Sequence, residues 1–206
     1  MIKAVIFDIG RVILHFEVDE ILKEYTDSEE ERVFIKNEVY NSPEWGGLGL
    51  IDIGYINMSE AASQIKDRTN HIHDDIVDDF LARYMDIAYV DKRVIDLIYK
   101  LKESGYKVYI LSNMCNEIIS KMGINQVLKD IDGYILSYQY HQIKPYKSSY
   151  ETLINKYNIN PEEALFVDDK KENLDTANTF GIKGHHVIPN DYDSILALLR
   201  EYNVVR

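Results

Sequence analysis

A single cysteine, Cys115, stands in 206 residues. It cannot form an internal disulfide, and a reducing compartment is its natural setting. No compact run of lysine and arginine occurs, and the net charge is −12. Nucleic acid and anionic lipid surfaces repel such a chain, so neither is expected as a partner. A small anionic molecule is admissible where a local cation meets it. Long apolar runs are missing too. Lys3, Asp8 and Arg11 interrupt the apolar start, which reads as neither signal peptide nor membrane span. The expected location is cytoplasmic. Repeats and low-complexity segments are also absent.

What is present is a chain that is 46% apolar, long enough to bury a real core. Short apolar runs at residues 2–7, 107–111 (KVYIL), 133–137, 164–167 (ALFV) and 184–187 read as buried strands. Helical spacing lies between them. Val94, Ile95, Leu97, Ile98 and Leu101 recur on one face until Gly105 stops the pattern. Further helices are expected near 116–122, 148–157, 172–180 and 191–201. Alternating strands and helices predict an α/β fold, a parallel sheet covered by helices on both faces. Residues 16–89 break that rhythm. They are acidic, carry several short helical patterns and a glycine-rich interruption, SPEWGGLGLIDIG, and are too long for a plain crossover. The expected division is a core of residues 1–15 plus 90–206 and an inserted helical domain of 16–89.

In such sheets the ligand crevice lies beyond the carboxyl ends of the strands. The first strand ends on Asp8. The second runs into Ser112 and Asn113. The third leads to Ser137, with Lys144 and Pro145 shortly after. The fourth ends on Asp168 and Asp169, with Asn173 four residues beyond. Each alone is ordinary capping or turn chemistry. Together they gather carboxylates, a hydroxyl, an amide and an ammonium at one sheet edge. Carboxylates so crowded repel one another, and a divalent cation with a lysine removes that cost. The same positive field suits a phosphate dianion, and an aspartate held there can attack phosphorus.

The ordered pieces FDIGRV, LSN, IKP and FVDDKKEN resemble the haloacid dehalogenase superfamily of phosphohydrolases, across residues 7–173. EWGGLGLIDIGYINMSEAA resembles the helical cap inserted after the first strand in its members. The resemblance implies a Rossmann-like core with a small helical cap and a Mg²⁺-dependent phosphatase acting on a small phosphorylated metabolite. It implies Asp8 as the nucleophile that becomes an aspartyl-phosphate. Ser112 and Asn113 would bind the phosphoryl group, and Lys144 would neutralise charge on both. Asp169 would be the main acidic Mg²⁺ ligand of the last motif, with Asp168 beside it and the main-chain carbonyl of Gly10 as a further ligand. Asn173 stands where many members carry another Asp. Arg11 is a candidate for substrate phosphate. A monomer or weak homodimer is expected.

Gly10 departs from the pattern. Most phosphatases of the family carry a second Asp there, which protonates the leaving oxygen and activates water; glycine does neither. Three readings stay open. One is a phosphatase whose leaving group is acidic or whose acid comes from elsewhere; FDIGRV resembles the starts of a bacterial, FDLGNV-like sub-branch that includes sugar-phosphate phosphatases. Another is a metal-free 2-haloacid dehalogenase, in which Asp8 attacks carbon. The third is a degenerate member that binds phosphate but barely turns it over. A response-regulator receiver has similar ingredients in a different order and no place for the insertion.

His15 is a candidate replacement acid, with a loop histidine near the hinge as the bland alternative. His71 and His73 are expected at a solvated helix start. Trp45 and the glycines after it form either a crevice-facing cap loop or packing within the cap. Cys115 is expected to be inert.

Overall fold

The computed structural model describes residues 1–45 and 49–206. β1 (Ala4–Phe7) is apolar and buried along its whole length. After β2 (Leu14–His15) come α1 (Val18–Tyr25), α2 (Glu29–Phe34), a π-helical turn (Ile35–Tyr40), α3 (Leu50–Ile53), α4 (Met58–Arg68) and α5 (Asp74–Arg83). β3 (Tyr89–Val90) returns the chain and pairs antiparallel with β2. From there helix and strand alternate: α6 (Lys92–Glu103), β4 (Lys107–Ser112), α7 (Asn116–Lys121), α8 (Asn125–Asp130) and β5 (Gly133–Leu136). Then follow α9 (Ser137–Tyr140), α10 (Lys147–Tyr157), β6 (Ala164–Val167), α11 (Lys171–Thr179) and α12 (Tyr192–Glu201).

The main sheet has the order β5-β4-β1-β6, with all pairs parallel. β1 is interior and covered on both faces, which is why AVIF contains no polar residue. Its side chains alternate between two cores. Ala4 and Ile6 pack with Tyr109, Ile135 and Phe166, whereas Val5 and Phe7 pack with Val108, Ile110 and Val167. A slip of one residue would exchange the two sets, so register is tightly specified. α6 begins on an Asp91 side chain that accepts from the Arg93 amide, and Gly105 follows its end at φ +88°. α4 opens on an Asn57–Glu60 capping box.

The expected fifth strand at 184–187 does not form. Lys183 makes a single bridge to Leu165, with Lys183 N donating to Ala164 O at 3.0 Å and Phe166 N donating to Lys183 O at 2.7 Å. Gly184 then lies so close to β6 that a Cβ would stand 2.6 Å from Phe166 O. His185 and His186 are exposed, and the chain meets the edge again at buried Val187, whose amide donates to Asp168 O at 3.3 Å. His73 stands at the start of α5 but is half-buried, its ring edge-on to Phe34 at 4.9 Å, so the expected solvated helix start holds for exposed His71 and not for His73.

The β2–β3 pair joins the helical segment to the sheet, and His15 is sealed in it at 2% exposure. Nε2 lies 3.6 Å from Asp91, and Nδ1 lies 3.2 Å from the Tyr89 hydroxyl. Burial pushes the imidazole below its ordinary 6.5, against the pull of Asp91. The unfolded chain therefore takes up this proton before the folded one does. Stability is full above pH 6.5 and falls as the pH drops from there through the lowered folded value. Urea midpoints at pH 7.5 and 5.5 are expected to differ more for the wild type than for His15→Phe. Equal slopes in the two chains would contradict this.

Candidate active site

The register of β1 builds the site. Phe7 is level with Ile110 of β4 and with Val167 of β6. Asp8 and Asp168 therefore emerge side by side, and the Asp8 amide donates to Val167 O at 2.9 Å. The Asp8 carboxylate accepts from the Ile9 amide at 2.7 Å. Lys144, buried to 2% exposure, reaches in from the loop between α9 and α10. Its Nζ stands 3.0 Å from Asp8 Oδ1 and 2.7 Å from Asp168 Oδ2.

Asn113 fixes that loop. Its side-chain amide donates to Lys144 O and its side-chain carbonyl accepts from Lys144 N, both at 2.8 Å. The Asn113 side chain is thus committed to positioning Lys144, a use the sequence reading did not foresee. Ser112 is buried beside Asp8, and its Oγ has no hydrogen-bond partner of good geometry within the protein.

The two carboxylates of the acidic pair differ. Asp168 is fully enclosed and saturated. Oδ1 accepts from the Lys170 amide at 2.8 Å, Oδ2 accepts from Lys144, and Asn173 Nδ2 donates to both at 3.0 Å. Asp169 has the opposite status: its buried Oδ2 has no hydrogen-bond partner, with Arg11 Nη1 3.5 Å away. One oxygen from each of Asp8, Asp168 and Asp169 lies within 4.8 Å of the others.

The electrostatics follow. Burial pushes Asp8 above the usual carboxylate range, with Lys144 opposing and Asp168 adding to the rise. Burial, and then Asp8 and Asp168, push Asp169 up to about 6. Burial works against the charge on Lys144, but Asp168 and Asp8 outweigh it and raise its pKa. Hard oxygen donors, excess negative charge and an unsatisfied carboxylate oxygen suit a hard divalent cation, and Mg²⁺ takes one or two carboxylates in this way. The residues present fit it.

These groups open into a cavity of about 210 Å³. Asp8, Gly10, Arg11, Lys144 and Asp169 line the sheet side. Trp45, Asp52 and Tyr84 line the helical side. Trp45 thus does both things expected of it: it faces the cavity and packs edge-on against Tyr84 at 4.5 Å. Gly46 and Gly47 lie outside the described residues. His15 does not line the cavity; its place in the β2–β3 pair removes it as the replacement acid. Cys115 lines the cavity, but burial and then Asp52 push its thiol up to about 12, consistent with inertness. Sequence reasoning missed Asp52, whose carboxyl is pushed up to about 7 by burial. Its one signal was an acidic residue inside an otherwise apolar, glycine-bounded stretch, GLIDIG.

The family model for haloacid dehalogenase-like hydrolases matches residues 2–181. The chain belongs to this family. The D-ribitol-5-phosphate phosphatase of Bacteroides thetaiotaomicron is 26% identical to this hydrolase over 194 residues, which are 89% of this chain and 90% of the relative. A crystal structure of a family enzyme from the same organism, in complex with magnesium and inorganic phosphate, superposes with a TM-score of 0.75. It is 21% identical and covers 95% of this chain and 99% of its own. The L-2-haloacid dehalogenase of Xanthobacter autotrophicus has a TM-score of 0.60 at 18% identity, over 100% of this chain and 85% of its own. The fold of the hydrolase is therefore shared by proteins named for different chemistry, and the side chains must decide between them. Among its described residues, no helix is long and apolar enough to cross a membrane.

Proposed function

We propose that this hydrolase is a Mg²⁺-dependent phosphomonoesterase that carries the phosphoryl group transiently on Asp8. The observation that carries the reading is the pairing of two unlike groups. Asp8 lies 3.0 Å from the Lys144 ammonium, beside Asp169 with a buried, unpartnered oxygen. A carboxylate that attacks carbon gains nothing from that second carboxylate. One that attacks phosphorus needs a cation there, since the substrate itself brings negative charge.

Asp8, Asp169 and the main-chain carbonyl of Gly10 would hold Mg²⁺, which supplies positive charge against the phosphoryl oxygens. Asp168, whose oxygens are occupied, keeps Lys144 charged and aimed. Asn113 holds the Lys144 main chain. Lys144 offsets charge on Asp8 and on the phosphoryl group, Ser112 Oγ, beside Asp8, would donate to that group, and Arg11 flanks it. Asp8 attacks phosphorus, the ester oxygen departs, and water then cleaves the acyl phosphate to regenerate Asp8.

The substrate class is a small sugar phosphate or similar metabolite. The support is the sugar-alcohol phosphate named for the 26% identical relative and the modest cavity. Residues 16–89 act as the cap that selects it, over a core of 1–15 and 90–206. A cytoplasmic location, supported by the lone buried thiol, and a monomer or weak homodimer complete the proposal.

EDTA is expected to remove phosphate release, and Mg²⁺ to restore it. Mg²⁺ is also expected to raise the melting temperature of the wild type, by binding the folded chain alone, and to raise it less for Asp169→Asn. Turnover of 2-chloropropionate that persists in EDTA would establish the dehalogenase instead.

A further inference from the structure

The phosphatase reading leaves a chemical gap. An alkoxide is a poor leaving group unless a proton reaches it, and Gly10 offers none. The gap is also a space: a Cβ built on Gly10 meets only Met114 Cε and Phe16 Cε1, both at 3.9 Å. We infer that Asp52, carried into the cavity by α3, is the proton donor and acceptor that Gly10 fails to supply; this rests on the phosphatase reading above.

Asp52 lines the same cavity as Asp8, Gly10 and Lys144. It is not one of the three carboxylates that converge within 4.8 Å, so it stands apart from the cation set. Among the described residues no lysine, arginine or histidine forms an ion pair with it. Burial raises its carboxyl to about 7; Lys170 and the Cys115 amide oppose this, and Asp8 adds to it. A group half-protonated near neutrality can both give and take a proton. The other acids on the cavity wall are worse placed. Glu17 is engaged by Arg11 at 3.2 Å and by Asn190 at 2.7 Å. Burial pushes the Tyr40 and Tyr84 phenols above their ordinary value.

The position of Asp52 is also held firmly. Its main-chain carbonyl accepts from Ser137 Oγ at the end of β5, and that hydroxyl in turn accepts from the Met114 amide at 2.9 Å. The next carbonyl, of Ile53, bonds His141 Nδ1 at 2.9 Å. Gly54 closes α3 at φ +79°, where a Cβ would overlap the Tyr138 main chain. One turn of the helical segment is thereby fastened to the two loops that follow β4 and β5, and its acid is set over the crevice.

The steps balance. Asp8 bonds phosphorus as the ester P–O bond breaks, and the departing oxygen takes the proton from Asp52. The resulting Asp52 carboxylate takes a proton from water as that water bonds phosphorus. The P–O bond to Asp8 then breaks, leaving phosphate, a free Asp8 carboxylate and a protonated Asp52.

The test compares Asp52→Asn with wild type on ribitol 5-phosphate and on 2,4-dinitrophenyl phosphate, whose leaving group needs no proton. With the alkyl ester, kcat is expected to fall about 10²–10⁴-fold with KM little changed. With the aryl ester, the variant should release one equivalent of dinitrophenolate in a burst and accumulate phosphate on Asp8, because only the water step is crippled. Gly10→Asp in the same chain should recover alkyl turnover. Asp52→Glu, which keeps the acid, should lose less than Asp52→Asn. Wild-type kcat in Asp52→Asn, or a loss confined to KM for the alkyl ester, would overturn the assignment in favour of hydroxyl recognition. A wild type that turns over substrate without labelling Asp8 would instead sink the covalent mechanism.

Discussion

Asp8→Asn is expected to lower phosphate release by at least about 10⁴-fold, the scale seen when a covalent nucleophile is removed, while the fold stays at least as stable as in the wild type. The two halves of this result come from the same geometry. Asp8 is buried beside Asp168, and its pKa is raised because burial and that neighbour disfavour its charge more than Lys144 favours it. Asparagine removes the charge and preserves the shape. Lys144 keeps its 2.7 Å partner, Asp168, so no ammonium is stranded. Phosphate release and the urea midpoint should therefore separate: the first collapses, and the second holds or rises. Wild-type turnover in this variant would refute the assignment of the nucleophile. A large loss of stability would mean that the Asp8–Lys144 contact is structural first.

Lys144→Met is expected to do the reverse to the fold. It removes the ammonium that lies between two buried carboxylates, at 3.0 and 2.7 Å. Breaking a buried pair by deleting one partner costs about 3–5 kcal/mol, because the remaining charge has no compensation. Here two charges lose their partner. Asp168 keeps Asn173 and the Lys170 amide, so the stranded charge falls more heavily on Asp8. Phosphate release should be lost as well. Adding Asp168→Asn to Lys144→Met should recover part of the stability, so the double variant is less destabilised than the sum of the singles. Strict additivity in urea unfolding would show that the lysine and Asp168 are not energetically coupled.

Much of the site was legible in the primary structure because each piece is local. An apolar run that stops on a carboxylate is a strand with a polar end, whatever surrounds it. Four such ends in a parallel sheet must share one edge, since every strand points the same way. Asp8, Ser112, Lys144, Asp168 and Asp169 are grouped on that logic, and the structure brings their side chains together; the family resemblance adds their expected roles. The same local logic placed α10, α11 and α12 within a residue at each end.

What failed was whatever depended on a distant partner. The segment 184–187 looks like a strand by composition, but its pairing with β6 is limited to the bridge at Lys183 and one bond from the Val187 amide to Asp168 O. Of the two readings of His15 the replacement acid fails, because Tyr89 and Asp91, 74 or more residues away, enclose it at the hinge. Asn113 seemed available for ligand, but the Lys144 main chain occupies both ends of its amide.

The amino-acid sequence alone thus determined the four parallel strands of the sheet, its polar edge and the residue types gathered there, because strand alternation is set within a few neighbouring residues. Only the tertiary structure decided which acidic oxygen stays unpaired, which amide serves the lysine, and that α3 hangs Asp52 over the cavity. Those outcomes come from docking between segments far apart in the chain, and no local pattern carries the distance between them.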